Sequence, residues 1–196
     1  MLSPAYRLSR TIRNENTQRD AKVRGCGQGD VKAILDSGKL LGKCADLSSL
    51  YVGLCRASGV PAREMFGLRV APSKLFSSIG KAGGDVSGAQ HCRAEYYSPK
   101  RGGWAPVDPA DLRKVILEEK KLLGDTDVSA LREKLFGFWE MNWVAFNSAR
   151  DFMLPPGGQK VNYLMYPYYA GGSLTKDGMD PKDFEYKILA KETALS

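Results

Sequence analysis

Between Cys44 and Pro61 the chain has room for one amphipathic helix and little else. Leu47, Leu50, Tyr51, Leu54 and Cys55 recur at the three-and-four spacing that lines one helix face. Gly59 suits the left-handed residue that closes a helix, and Pro61 cannot continue one. The pattern predicts a helix from Cys44 to Ser58 with an apolar side that must be buried. A chain of 196 residues, 43% hydrophobic and 26% charged, is long enough to supply one domain with a core to receive it.

Local signals place the other elements. Asp30 caps a short helix in "DVKAILDSGKLLG". "AREMFGLRVAP" reads as a strand, and the glycine- and serine-rich "SKLFSSIGKAGGDVSGAQ" as a long loop. "HCRAEYYSPKRGGWAPVDP" reads as a hairpin turning at "SPKRGG". "DLRKVILEEKKLLG" and "VSALREKLFGFWEMN" read as helices. "NWVAFNSARDFML", "VNYLMYP" and "FEYKIL" read as strands, the last because Phe184, Tyr186 and Ile188 alternate, and Pro155–Gly158 reads as a loop between two of them. Helices first and mostly antiparallel strands later make an α+β arrangement. Residues 1–24 form a basic, polar segment expected to be partly helical through Tyr6, Leu8 and Ile12. Residues 25–190 form a single domain and 191–196 a tail.

Composition excludes some functions. The net charge of +7 does not cluster, since basic residues run from Arg7 to Lys191 and often stand beside acids. Base-stacking motifs are missing, so no nucleic-acid partner is expected. No apolar run is long enough to span a bilayer, and no apolar block follows the basic N-terminus as in a signal peptide. The expectation is a cytoplasmic chain, unless it is a fragment of an exported protein. "RGCGQGD" lacks the spacing and the lysine of a phosphate loop. Four cysteines without a C-x-x-C pair, and one histidine, serve zinc poorly, so neither metal nor cofactor is expected.

Two features point to chemistry. Cys44 opens a helix, where free N–H groups and the macrodipole favour an anion and lower a thiol pKa. Cys55 lies on the apolar face, Cys92 on the core side of its strand, and Cys26 in the glycine-rich turn, where it is the one rival nucleophile. In the hairpin, His91, Arg93, Glu95 and Tyr97 share one face and Cys92, Ala94 and Tyr96 the other. A turn centred between Pro99 and Lys100 sets Glu95 opposite Trp104, Arg93 opposite Pro106 and His91 opposite Asp108. Opposed Cβ atoms lie about 4.5–5.5 Å apart, within reach of an imidazole–carboxylate bond. A carboxylate behind a histidine fixes its tautomer and leaves the other nitrogen for a nucleophile, here Cys44.

"GKCADLSSLYVGLCRASGVPAR", "QHCRAEYY" and "GGWAPVDPAD" together resemble the core of the transglutaminase-like superfamily, and the flanking "NTQRDAKVRGCGQGD", "WEMNWVAFNSARDFML" and "NYLMYPYYAGG" resemble its bacterial members. The likeness runs from Asn16 to Ile188. It implies a papain-like cysteine proteinase core in which the helix bearing the catalytic cysteine packs on an antiparallel sheet, with Cys44, His91 and Asp108 as the triad. Where relatives often carry His-Ala-Trp, this chain has His91-Cys92-Arg93. No acidic cluster supports the calcium dependence of some animal relatives.

The reaction expected is acyl transfer from a peptide bond or glutamine amide of a protein or peptide through a thioester on Cys44. Hydrolysis is expected ahead of transamidation, and a catalytically silent peptide-binding module is the alternative of another class. The Cys44 N–H is the first oxyanion donor, with Gln28 and Gln90 as candidates for the second. Trp104, Trp139, Trp143, Tyr163, Tyr166, Tyr168 and Tyr169 are read mainly as packing residues rather than groove lining. Arg63 and Arg93 are read as ordinary partners of Glu64, Glu95 or Asp111.

Overall fold

The computed structural model describes residues 5, 7, 17–155, 159–171, 174–180 and 182–193. The helix expected through Tyr6, Leu8 and Ile12 lies outside the described residues, as does the loop at 156–158. In chain order the elements are β1 (Gln18–Arg19), α1 (Val31–Asp36), β2 (Leu41–Gly42), α2 (Cys44–Ala57), β3 (Ala62–Arg69), β4 (Gly84–Asp85), β5 (Gln90–Ser98), β6 (Gly103–Val107), α3 (Asp111–Glu118), α4 (Thr126–Lys134), β7 (Trp143–Asn147), β8 (Arg150–Leu154), β9 (Gln159–Tyr163), β10 (Tyr168–Gly171), β11 (Leu174–Asp177) and β12 (Leu189–Ala190). A four-stranded antiparallel sheet in the order β6-β5-β3-β7 is the centre.

The helix boundaries follow from local chemistry. The Asp30 carboxylate accepts a hydrogen bond from the Ala33 N–H at 3.0 Å and starts α1. Gly59, at φ 74°, closes α2, and the Val60 N–H donates back to the Cys55 carbonyl at 2.9 Å. The apolar face of α2 puts Leu50, Tyr51, Val52 and Cys55 into a core with Ala62, Ala94, Tyr96, Ala105 and Val107. Cys92, Ala94 and Tyr96 thus form the helix-facing side of β5, and the alanines at 94 and 105 let the helix lie close. A separate cluster of Ile79, Leu112, Val115, Val128, Leu131 and Leu135 holds α3 and α4.

Several sequence expectations need correction: the strand expected over 142–154 is two strands, β7 and β8, in different sheets, and the helices expected over 111–124 and 128–142 end at Glu118 and Lys134. In the hairpin, Ser98 pairs with Gly103, Tyr97 with Trp104 and Glu95 with Pro106, two residues away from the expected register. The turn holds four residues, Pro99 to Gly102, and Gly102 closes it at φ 66°. A shift of two leaves every side chain on its expected face. Of residues 184–190, only Leu189–Ala190 pairs as a strand, with Gly84–Asp85. Residues 184–188 form no ladder; the Tyr186 hydroxyl instead donates to the Ser87 carbonyl at 2.9 Å. Their alternation reflects a chain with one side packed on the protein.

Gly67 sits where the β3–β7 ladder shifts register, opposite His91 on β5. A Cβ there would fall inside van der Waals contact of the Val144 carbonyl oxygen and of the Trp143 indole. That indole N–H donates to the His91 carbonyl at 2.8 Å. Gly67→Ala is therefore expected to cost about 1–3 kcal/mol, because backbone and a buried ring must both move. A lowered urea midpoint at unchanged m-value checks it.

Candidate active site

Cys44 is the first residue of α2 and is 4% exposed. Its N–H has no carbonyl one turn back to receive it. Two residues on, Asp46 turns back over the helix start. One carboxylate oxygen accepts from the N–H groups of Gln28 (3.0 Å) and Gly29 (2.9 Å), the other from Lys43 (3.0 Å). Gly27 stands at φ 98°, and a side chain there would collide with the Asp46 carboxylate. The carbonyls of the same loop are held from the opposite side. Tyr163 donates to Gly27, Asn162 to Gln28 at 3.2 Å, and Arg150 to Gly29 at 2.9 Å. Tyr163 is itself stacked on Phe66 of β3 at 4.9 Å between centroids. "RGCGQGD" is thus a structural clamp that fixes Cys26 beside Cys44, in one buried cluster that includes Cys92.

The three thiols differ in character. Hydrogen bonding from Cys26 and from Cys92, and then the His91 imidazole, hold Cys44 well below the ordinary thiol range despite burial. Cys26 is raised by its bond to Cys44 and by burial, Cys92 by burial and then by Cys44. Burial pushes Cys55 up to about 11. All four cysteines are free. Cys26 packs in one buried cluster with Cys44, and its thiol donates to the Gln90 carbonyl at 3.3 Å.

His91 Nε2 lies 2.7 Å from Asp108 Oδ2, and both side chains are buried. This leaves Nδ1 for the Cys44 side. Asp108 precedes Pro109, and its other carboxylate oxygen accepts from the Ala110 (3.1 Å) and Asp111 (3.0 Å) N–H groups where α3 begins. Asp108 follows β6 rather than lying on it. In the observed register it continues opposite Arg93, whose Nε is 3.3 Å from the Oδ2 that His91 binds, and His91 reaches it diagonally. Arg93 also donates to the Glu140 carbonyl at 2.8 Å and lies over Trp143 at 5.0 Å. Arg69 holds Asp111 at 2.5 and 3.1 Å, and Asp111 stands 3.5 Å from His91.

Burial and Arg69 push the His91 pKa down, but Asp111 and Asp108 outweigh them and raise it above the ordinary histidine value. Against its own burial, Asp108 is held well below the carboxylate range by His91, then Arg93 and Arg69. Buried ions survive here because each is paired. Arg93 pairs with Asp108 rather than with Glu64, Glu95 or Asp111, whereas Arg63 takes Glu95 as expected. His91, Asp108 and Asp111 bring one imidazole nitrogen and two carboxylate oxygens within 4.8 Å of one another. Two guanidinium groups lie against this set, so its charge is already balanced without a cation.

A cavity of about 430 Å³ opens onto Cys44 and His91. It lies within the range of small-molecule sites, about 300–1,000 Å³. Gln90 lines it and donates to the Tyr186 hydroxyl at 2.7 Å, whereas exposed Gln28 is not among its walls. Of the aromatic residues considered above, Tyr166 is in the wall; Trp139 and Trp143 bind backbone carbonyls through their indole N–H groups. Asp46, Arg69 and Arg150 carry signals too slight to single out in a sequence. Only the acid two residues after Cys44, at a helix start, hinted at Asp46.

A family model for the transglutaminase-like superfamily matches residues 2–109, which include Cys44, His91 and Asp108. An uncharacterized protein of Haemophilus influenzae is 46% identical over 189 residues, covering 91% of this chain. The chain spans about half, 51%, of that relative's length. No solved structure gives a significant match.

Proposed function

The chain belongs to the transglutaminase-like superfamily, and on that premise we propose that it is a cysteine-dependent acyl-transfer enzyme that hydrolyses amides of peptides or proteins. The observation that carries the reading is the buried Asp108–His91 pair at 2.7 Å beside a thiol on a helix start, with a cavity leading to both. The Cys44 sulfur attacks the amide carbonyl carbon. The oxyanion is met by the Cys44 N–H, with the side-chain amide of Gln90 as second donor. As the carbon–nitrogen bond breaks, His91 gives its proton to the leaving amine and a thioester remains. Water then attacks, passing a proton to His91, and the acid leaves as the thiolate reforms. Asp108 holds the imidazole in the tautomer these steps need.

Hydrolysis is favoured over transamidation on charge. An amine acceptor arrives as a cation, and the cavity wall already carries Arg19, Lys43 and Lys114. A mixture of glutamine-bearing peptides, incubated with and without a primary amine and read by mass, separates the outcomes. Cleavage or deamidation is expected, reduced about 10²–10⁴-fold in His91→Ala. Amine addition would make the chain a transamidase. Tight binding with no turnover would make it a silent peptide-binding module.

A further inference from the structure

The cavity beside Cys44 is charged more one-sidedly than the chain. Overall the sequence has 29 basic and 22 acidic residues. In the cavity wall stand Arg19, Lys43, Arg69 and Lys114, against Glu185 as the one acid among the described residues. Arg69 is neutralised by Asp111. Arg19 and Lys114 share a single carboxylate: Glu118 lies 3.6 Å from one and 3.8 Å from the other, on its two different oxygens. Lys43 has no ion-pair partner among the described residues, and it immediately precedes the start of α2. The Arg19 and Lys114 side chains are only 17% and 20% exposed, so water and salt screen them less than a surface pair. Glu185 is exposed and offsets the excess weakly. Burial, and then the Arg69 charge, push the Lys114 ammonium down from its ordinary range, against the opposing pull of Glu118 and Asp111.

Resting on the acyl-transfer reading above, we propose that this cavity selects substrates carrying a carboxylate next to the amide that is attacked, with Arg19 and Lys114 as its principal recognition groups. A carboxylate seated between them completes a set of two cations and two anions with Glu118. The α2 N-terminus adds a further positive end on the same cavity. The carboxylate comes either from an acidic side chain or from a free peptide C-terminus, since both present the same group. These two cations specify binding; they do not enter the chemical steps.

The test compares iodoacetate with iodoacetamide, which differ by one negative charge, as reagents for Cys44. The readout is the ratio of their rate constants, measured by peptide mass spectrometry and referred to the same ratio for glutathione. A general change in nucleophilicity cancels in this ratio. At low salt the ratio is expected to exceed that of glutathione by about tenfold. It should collapse toward it in 0.5 M NaCl and in the double variant Arg19→Gln/Lys114→Gln. If that variant does not fold, as judged by circular dichroism, the wild-type salt series decides alone. A ratio no higher than that of glutathione overturns the proposal and leaves the acyl-transfer reading standing. A Cys44 inert to both reagents overturns that reading instead, and carboxylate binding is then decided by titration. Cys44→Ser is titrated with three peptides: acidic with an amidated end, neutral with a free C-terminus, and neutral with an amidated end. Preference for the first or the second names the source of the carboxylate; equal binding of all three overturns the proposal.

Discussion

Iodoacetamide is expected to alkylate Cys44 rapidly at pH 6, while Cys26, Cys55 and Cys92 stay unreacted until well above pH 8. The sign follows from the two shifts. Cys44 is lowered and His91 is raised, so between their pKa values the pair exists as thiolate and imidazolium. As pH falls, thiolate is lost only on passing the depressed Cys44 value. An ordinary thiol, with a pKa of about 8.5, is less than one per cent ionised at pH 6. His91→Ala removes the counter-cation from a buried site, where desolvation opposes the charge. The rate at pH 6 is then expected to fall by about 10²-fold and the profile to move to the alkaline side. Asp108→Asn keeps the shape but removes the charge that helps to raise His91, so it should narrow the window from the alkaline side. Peptide mass spectrometry from pH 4 to 10 reads all four cysteines at once. A Cys44 no faster than its neighbours, or unaffected by His91→Ala, would sink the assignment.

Asp46→Ala is expected to be the most destabilising single change at the site, by about 3–5 kcal/mol. Asp46 is 6% exposed and satisfies three backbone N–H groups, which its removal would strand. Each stranded buried donor costs about 1–3 kcal/mol, reduced where the loop can relax toward water. Little relaxation is open to this loop, because Tyr163, Asn162 and Arg150 hold the carbonyls of Gly27, Gln28 and Gly29. Asp46→Asn keeps one acceptor oxygen, enough for Gln28 and Gly29 but not for Lys43, and should cost about half as much. Urea unfolding at constant m-value measures both variants. The loss is also functional, since the clamp seats Cys26 in the buried cluster around Cys44. An Asp46→Ala variant within 1 kcal/mol of wild type would show that the loop is held from the carbonyl side alone.

Cys44, His91 and Asp108 each announce themselves through local chemistry: a helix start, a strand face, and a carboxylate before proline near a turn. The register that brings His91 to Asp108 in the sequence differs by two residues from that of the structure. The pair survived because an even shift preserves the face, and because Asp108 lies past the end of β6 and is reached diagonally. The turn length depended on where one glycine adopts a left-handed backbone, and "KRGG" offers two. The alternation in 184–188 misled because a segment packed on one side repeats like a strand without hydrogen-bonding to one.

By itself, then, the sequence determined where α1 and α2 start or stop, which side of β5 is apolar, and which thiol sits at a helix terminus. These depend on caps, proline, glycine and side-chain period, all of which act within a few residues. Only the tertiary structure decided which charges meet. Arg93 stands 3.3 Å from Asp108, Asp46 binds a loop 17 residues earlier, and Arg19 shares Glu118 with Lys114. Such pairings are set by how distant segments pack. Their strength depends on burial, which a linear chain does not display, because Coulomb energy grows as water is excluded.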